Sequence, residues 1–311
     1  MAYARKRRYT RRPSGSSRGR KTTRPSARRY RSTGRTRRYT RKRPMSKKSI
    51  LNVTSEKKRD TMLAWTNTST TGASVTPRQD ATYIAASTGA FYIWCATSRD
   101  LLIGGQLAPK ANESARTATT CYMRGLSEKL RIQSSSGLPW FHRRICFTAK
   151  GPSPYRLQFP GDAGAAAVEL ENSNGYVRFW QNQAVNNTVN YQNEVFALLF
   201  KGAQGVDWSD LVTAPVDQRR VTVKFDKTWT YRSGNANGMV KETKLWHPMN
   251  HNLVYNDDEA GTAEGTSAFS TTSKSGMGDY YVIDIIGGGA GGTASDILRI
   301  DSTSSLYWHE K

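Results

Sequence analysis

The residues whose types and spacing point to chemistry are arginine, lysine and tyrosine, and they crowd the N-terminal end. Arg5-Lys6-Arg7-Arg8, Arg11-Arg12, Arg18, Arg20-Lys21, Arg24, Arg28-Arg29, Arg31, Arg35, Arg37-Arg38 and Arg41-Lys42-Arg43 are interleaved with Tyr3, Tyr9, Tyr30 and Tyr39. A guanidinium forms bidentate contacts to phosphate and stacks on bases, and a tyrosine ring offers a face to any base. The expected chemistry is sequence-tolerant binding of single-stranded nucleic acid, with an affinity that falls steeply as salt rises. Arg5 to Arg8, Arg41 to Arg43 and Lys57-Lys58-Arg59 also suit a nuclear import receptor, so targeting is expected of the same residue types. No amphipathic stripe accompanies the charge, which argues against a membrane-surface role.

Other constellations carry less. Gly287-Gly-Gly289-Ala-Gly-Gly292 satisfies the glycine spacing of a dinucleotide loop. No helix of normal length fits before Asp296, and the acidic ribose ligand some 20 residues further on has no place in the remaining chain, so a glycine loop between two strands is expected and no cofactor. His247-Pro-Met-Asn-His251 has the spacing of a helical metal pair, but Pro248 opposes a helix and no general-base carboxylate lies between the histidines. Asp257-Asp258-Glu259 offers oxygen ligands to a cation or, more plainly, makes a solvated acidic turn. The chain holds four histidines and no serine in a nucleophile-elbow context, so no catalytic triad assembles and no enzyme is expected. Cys95, Cys121 and Cys146 are odd in number with no C-x-x-C pair, which reads as free buried thiols.

The elements that must position these groups divide the chain in two. Residues 1–50 hold 21 of the 47 Lys and Arg and none of the 24 Asp and Glu, while residues 51–311 carry 26 basic against 24 acidic side chains. The first segment has no Val, Leu, Phe or Trp, cannot bury enough apolar surface to offset backbone entropy, and is expected to be disordered until it meets a polyanion. The second is long enough for one large β domain. Short runs rich in β-branched and aromatic residues recur along it: Met62–Trp65, Phe91–Thr97, Thr119–Met123, Glu128–Gln133, Trp140–Phe147, Tyr176–Trp180, Glu194–Phe200, Arg220–Lys227, Met239–Trp246, Tyr280–Ile286, Ile297–Ile300 and Leu306–His309. Val221, Val223 and Phe225 alternate with Thr222, Lys224 and Asp226, and Leu130 with Ile132 does likewise, as half-buried strands require. An all-β antiparallel sandwich is expected, with loops at 98–118 and 256–279 and a short helix near Trp208–Val212. Neither an apolar signal segment nor an 18-residue apolar run occurs, so no secretion and no membrane insertion are expected.

The segments Lys48–Leu63, Phe91–Leu101, Cys121–Ile132, Gly137–Thr148, Lys224–Gly234, Lys244–Pro248, Leu253–Asn256 and Tyr307–Lys311 resemble, in order, the capsid proteins of genomoviruses, a group of circular single-stranded DNA viruses. The later segments, Lys224–Gly234, Lys244–Pro248 and Leu253–Asn256, are more distantly similar to geminivirus coat proteins. The resemblance implies an eight-stranded jelly roll, 60 copies in a T=1 icosahedral shell, a circular single-stranded DNA genome as partner, and location in the virion and the host nucleus. A cellular nucleic-acid-binding protein of ribosomal or chromatin type shares the basic arm. It should also continue positive charge into its fold, whereas residues 51–311 are nearly neutral.

Overall fold

The computed structural model describes residues 44–311. The Arg-rich segment through Arg43, with the disorder expected of it, lies outside the described residues. In chain order the main elements are α1 (Lys47–Thr54), β1 (Glu56–Thr68), β2 (Ser74–Gln79), β3 (Thr82–Ala85), β4 (Ala90–Cys95), β5 (Thr120–Ser134), β6 (Trp140–Ala149), β7 (Arg178–Trp180), α2 (Val189–Leu199), β8 (Thr222–Tyr231), β9 (Met239–Val254), β10 (Asp279–Gly288) and β11 (Ile297–Glu310). The compact unit runs from Ser46 to Lys311. Its first helix straddles the boundary expected at residue 50, with the Ser46 hydroxyl capping it by accepting from Ser49 N–H at 3.2 Å.

Two sheets form the body. One has the order β7-β1-β11-β5-β9, with β2 added to β1 and β3 to β11; the other has the order β8-β6-β10-β4. All pairings in both are antiparallel except β1 with β7. The chain crosses between the sheets at every step from β3 to β11, so strands adjacent in sequence mostly do not pair with one another. Between the sheets, Met62, Trp94, Met123, Leu126, Cys146, Val282 and Trp308 form one cluster. Ile84, Tyr92, Leu130, Ile132, Trp140, Trp180 and Ile300 form another. The opposite face of the four-stranded sheet is also buried, under α2 and the long excursion between β6 and β8. That double coverage explains why all six residues of β4 are buried with no polar alternation.

Several sequence expectations change here. Glu194–Phe200 is not a strand; it falls on α2 and its C-cap, where Tyr191, Val195, Phe196 and Leu199 turn one helical face onto the sheet. The start of that helix is satisfied from outside, since the Asp162 carboxylate accepts from Asn190 and Tyr191 N–H, both at 2.9 Å. Trp208–Val212 is a turn region, with Trp208 packed on Phe200. Thr119–Met123 and Glu128–Gln133 merge into β5, and the last two expected strands merge into β11. Val223 and Phe225 do not share a face: a bulge between them sends Val223 to the α2 side and Phe225 between the sheets. Leu130 and Ile132 do share one. Cys95, Cys121 and Cys146 are free and buried.

Candidate nucleic-acid interface

Lys57, Lys58 and Arg59 are the basic residues expected to contact a partner that lie within the described region. As β1 they alternate, so they are not a continuous basic patch. Lys58 points inward, 3% exposed, and its ammonium donates to the carbonyls of Lys110 at 2.7 Å and Asn112 at 2.8 Å. This removes Lys58 from any import motif displayed by the folded chain and leaves Lys57 and Arg59 outside. The remaining expected contacts, Arg5 to Arg43, lie outside the described residues.

The outward side of β1 belongs to the face of the seven-stranded sheet turned away from the other sheet. Register places Lys57 beside His309 and Tyr122, and Arg59 beside Tyr307 and Gly125. Two neighbouring strands are irregular at this level. β5 carries Arg124 as an extra residue between Met123 and Gly125, and β9 carries Met249 and Asn250 between Pro248 and His251, with Asn250 at φ 51°. The extra residue turns Arg124 outward, where its guanidinium donates to Asn250 Oδ1 at 2.8 Å and lies 6.0 Å from the Tyr122 ring. Gly125 has no side chain to lift its neighbour, and a Cβ there would stand 2.7 Å from Trp246 Cζ2. The indole of Trp246, 50% exposed, therefore lies across the sheet and meets Tyr307 edge-on at 5.9 Å. Arg59 covers the same Tyr307 ring at 5.4 Å. In the sequence Trp246 is the end of the expected strand Met239–Trp246, and which strand aromatics face outward depends on the bulges.

Beneath this face sits a second charged group with a different role. Arg144 makes two hydrogen bonds to Asp284, at 2.7 and 3.1 Å, and is paired with Glu128 as well. Arg178 joins the same two carboxylates, at 3.0 Å to Glu128 and 2.7 Å to Asp284, and is held 3.8 Å over the Trp180 ring. All four side chains are fully buried, between the two apolar clusters. Two positive and two negative groups cancel, and the Ser304 hydroxyl donates to Glu128 at 3.0 Å. His142 donates from Nε2 to Asp284 at 2.8 Å and accepts from the Tyr231 hydroxyl at 3.0 Å. Burial holds its pKa below the usual value, which keeps the ring neutral in this arrangement. Removing one partner from such a group leaves a bare charge in the core and costs about 3–5 kcal/mol, so these residues position strands.

The remaining candidates separate. His247 is buried beside Arg144 and Glu128, while His251, beyond the bulge, is exposed and bonds the Met249 carbonyl at 2.7 Å. Asp257 is ion-paired to the fully buried Arg116, with Nη2 3.0 Å from Oδ1, and so ties the 98–118 loop to the 256–279 loop. Asp258 and Glu259 are exposed in a short ribbon, Asp258–Ala260 with Ala263–Gly265. Gly289–Gly292 lies in the turn joining β10 to β11. Among the described residues, no group of three or more His, Cys, Asp or Glu is arranged to hold a metal ion, and no helix is long and apolar enough to cross a membrane. No protein-family model matches this chain, and no curated protein matches it.

Proposed function

We propose that this chain is the capsid protein of a small circular single-stranded DNA virus, a structural protein and not an enzyme. The observation that carries the reading is the strand order. The eight strands β1, β4, β5, β6, β8, β9, β10 and β11 divide as β1-β11-β5-β9 and β4-β10-β6-β8. This is the order expected of a jelly-roll sandwich, in which two interleaved Greek keys feed two four-stranded sheets. An N-terminal segment with 21 basic and no acidic residues precedes that sandwich. The division of labour follows: the sandwich makes contacts between copies, 60 of them in a T=1 shell, and the arm neutralises genome phosphates inside. Self-association is further supported by apolar side chains that none of the described residues covers: Met45, Ile50, Leu51 and Val53 in and before α1 are each 45% exposed or more. Assembly in the host nucleus fits an arm able to engage an import receptor.

Negative-stain microscopy of the purified full chain tests the reading. Closed shells of one diameter are expected. A monodisperse monomer that binds nucleic acid would favour the cellular ribosomal or chromatin-type alternative.

A further inference from the structure

The geometry points to a second site for single-stranded nucleic acid on the folded domain itself: the outward face of the seven-stranded sheet, where Trp246 and Tyr307 stack bases between flanking cations. This deepens the capsid reading by naming a surface of the shell that touches the genome, and it rests on that reading only for the identity of the strand.

Charge supplies the first argument. Lys57, Arg59, Arg124, Lys129 and Lys244 all lie on this face, and none forms an ion pair with any described residue. Lys129 and Lys244 stand directly opposite one another on β5 and β9. Like charges in that position repel, so the pair costs stability unless an anion lies over it. The acidic residues of the same face, Glu242 and Asp301, are already paired with Arg131 and Arg299, and Asp80, which lines the groove beside them, with Arg78. The backbone carbonyl of Glu113 accepts Arg59 N–H at 2.9 Å.

Shape supplies the second. From Lys57 to Leu63 the face runs about 20 Å along β1. An open groove of about 640 Å³ continues it past Leu63, Lys129, Lys244 and Thr303. Aromatic rings that reach solvent, Trp246 half-exposed and Tyr307 partly so, beside phosphate-binding cations on a sheet are the parts from which sequence-tolerant single-strand sites are made, since every base has a π-face. A second copy of the chain fits less well, because its own matching face would bring the same five unpaired cations against these.

The test uses full-length protein, a 30-mer of thymidine, and an abasic phosphodiester of equal length. The Trp246→Leu/Tyr307→Leu variant should lose about tenfold affinity for the thymidine strand and none for the abasic one, while Trp246→Phe/Tyr307→Phe keeps it. Arg59→Gln/Arg124→Gln, at outward positions that leave the fold intact, should reduce the slope of log affinity against log salt by about 1.4. Wild-type affinity and slope in both sets overturn the site, as does loss of shells with oligonucleotide affinity intact, which reassigns the face to contacts between copies. Microscopy separates the two readings. Shells without these binding losses sink the site alone, and these losses in a chain that forms no shells sink the capsid reading alone.

Discussion

Glu169 shows how one side chain sets a pH response. It precedes the short ribbon Glu171–Asn172 with Gly175–Tyr176, and its Oε2 is buried with no hydrogen-bond partner. Burial, partly offset by Arg99 and reinforced by the carboxylate of Glu171, pushes its pKa up to about 7. The folded chain thus holds a proton that the unfolded chain releases near pH 4.5, so stability is lost as pH rises from about 4.5 through 7. His247 has the opposite sign: burial and the neighbouring Arg144 hold it down to about 4, so its contribution is lost as pH falls from about 6.5 through 4. Glu169→Gln isolates the first effect. Denaturant melts should find the variant more stable than wild type by roughly 2–3 kcal/mol at pH 8 and nearly equal at pH 4.5. A difference independent of pH would refute the assignment.

At the scale of elements, the bulges in β5, β8 and β9 do what strand propensity cannot. Each inserts residues that turn the following side chains to the other face. In β8 the inserted position separates Val223 from Phe225, giving one strand apolar anchors in two different layers. In β5 it places Arg124 outward and keeps Gly125 beneath Trp246. Gly125 has φ 152°, and a Cβ would lie 2.6 Å from the His247 carbonyl oxygen. Gly125→Ala must therefore push β9 away from β5, at a cost of about 1–3 kcal/mol. A lowered denaturation midpoint with unchanged m-value is the expected outcome, together with altered near-ultraviolet dichroism from a displaced Trp246. A neutral substitution would show that the strands relax around the methyl group.

For the whole molecule, charge is partitioned instead of balanced. The folded region's near neutrality, 26 basic against 24 acidic over residues 51–311, conceals a face with five cations that are unpaired among the described residues and loops that hold acids, such as 257–265 with four acidic and no basic residues. If 60 copies close a shell, residues 1–50 supply about 1260 positive charges, enough for a single strand on the order of a kilobase, with mobile cations covering any excess. Deleting residues 2–43 should leave a domain that still assembles and carries far less DNA, the residue being what the sheet face retains. Particle counts by microscopy and the absorbance ratio of purified particles measure both. Normal packaging by the deletion would refute the division of labour, and loss of assembly would show that the arm also organises the lattice.

Much of this was legible in the chain because it is local. Arg and Tyr density in the first 50 residues, the absence of a βαβ context around Gly287–Gly292, and the β-branched runs that became β1, β4, β6 and β10 each depend on neighbours in sequence. The helical spacing of Tyr191, Val195, Phe196 and Leu199 was present too, but a short apolar run does not distinguish helix from strand until something covers one face of it. Tertiary structure alone decided that Arg144 and Arg178 are core residues, because their partners Glu128 and Asp284 come from strands up to 140 residues away. It likewise decided that Lys58 is buried while Lys57 and Arg59 join Trp246 and Tyr307 outside. Alternation says only that successive side chains oppose one another; which side meets water is fixed by the second sheet, and each bulge resets the count.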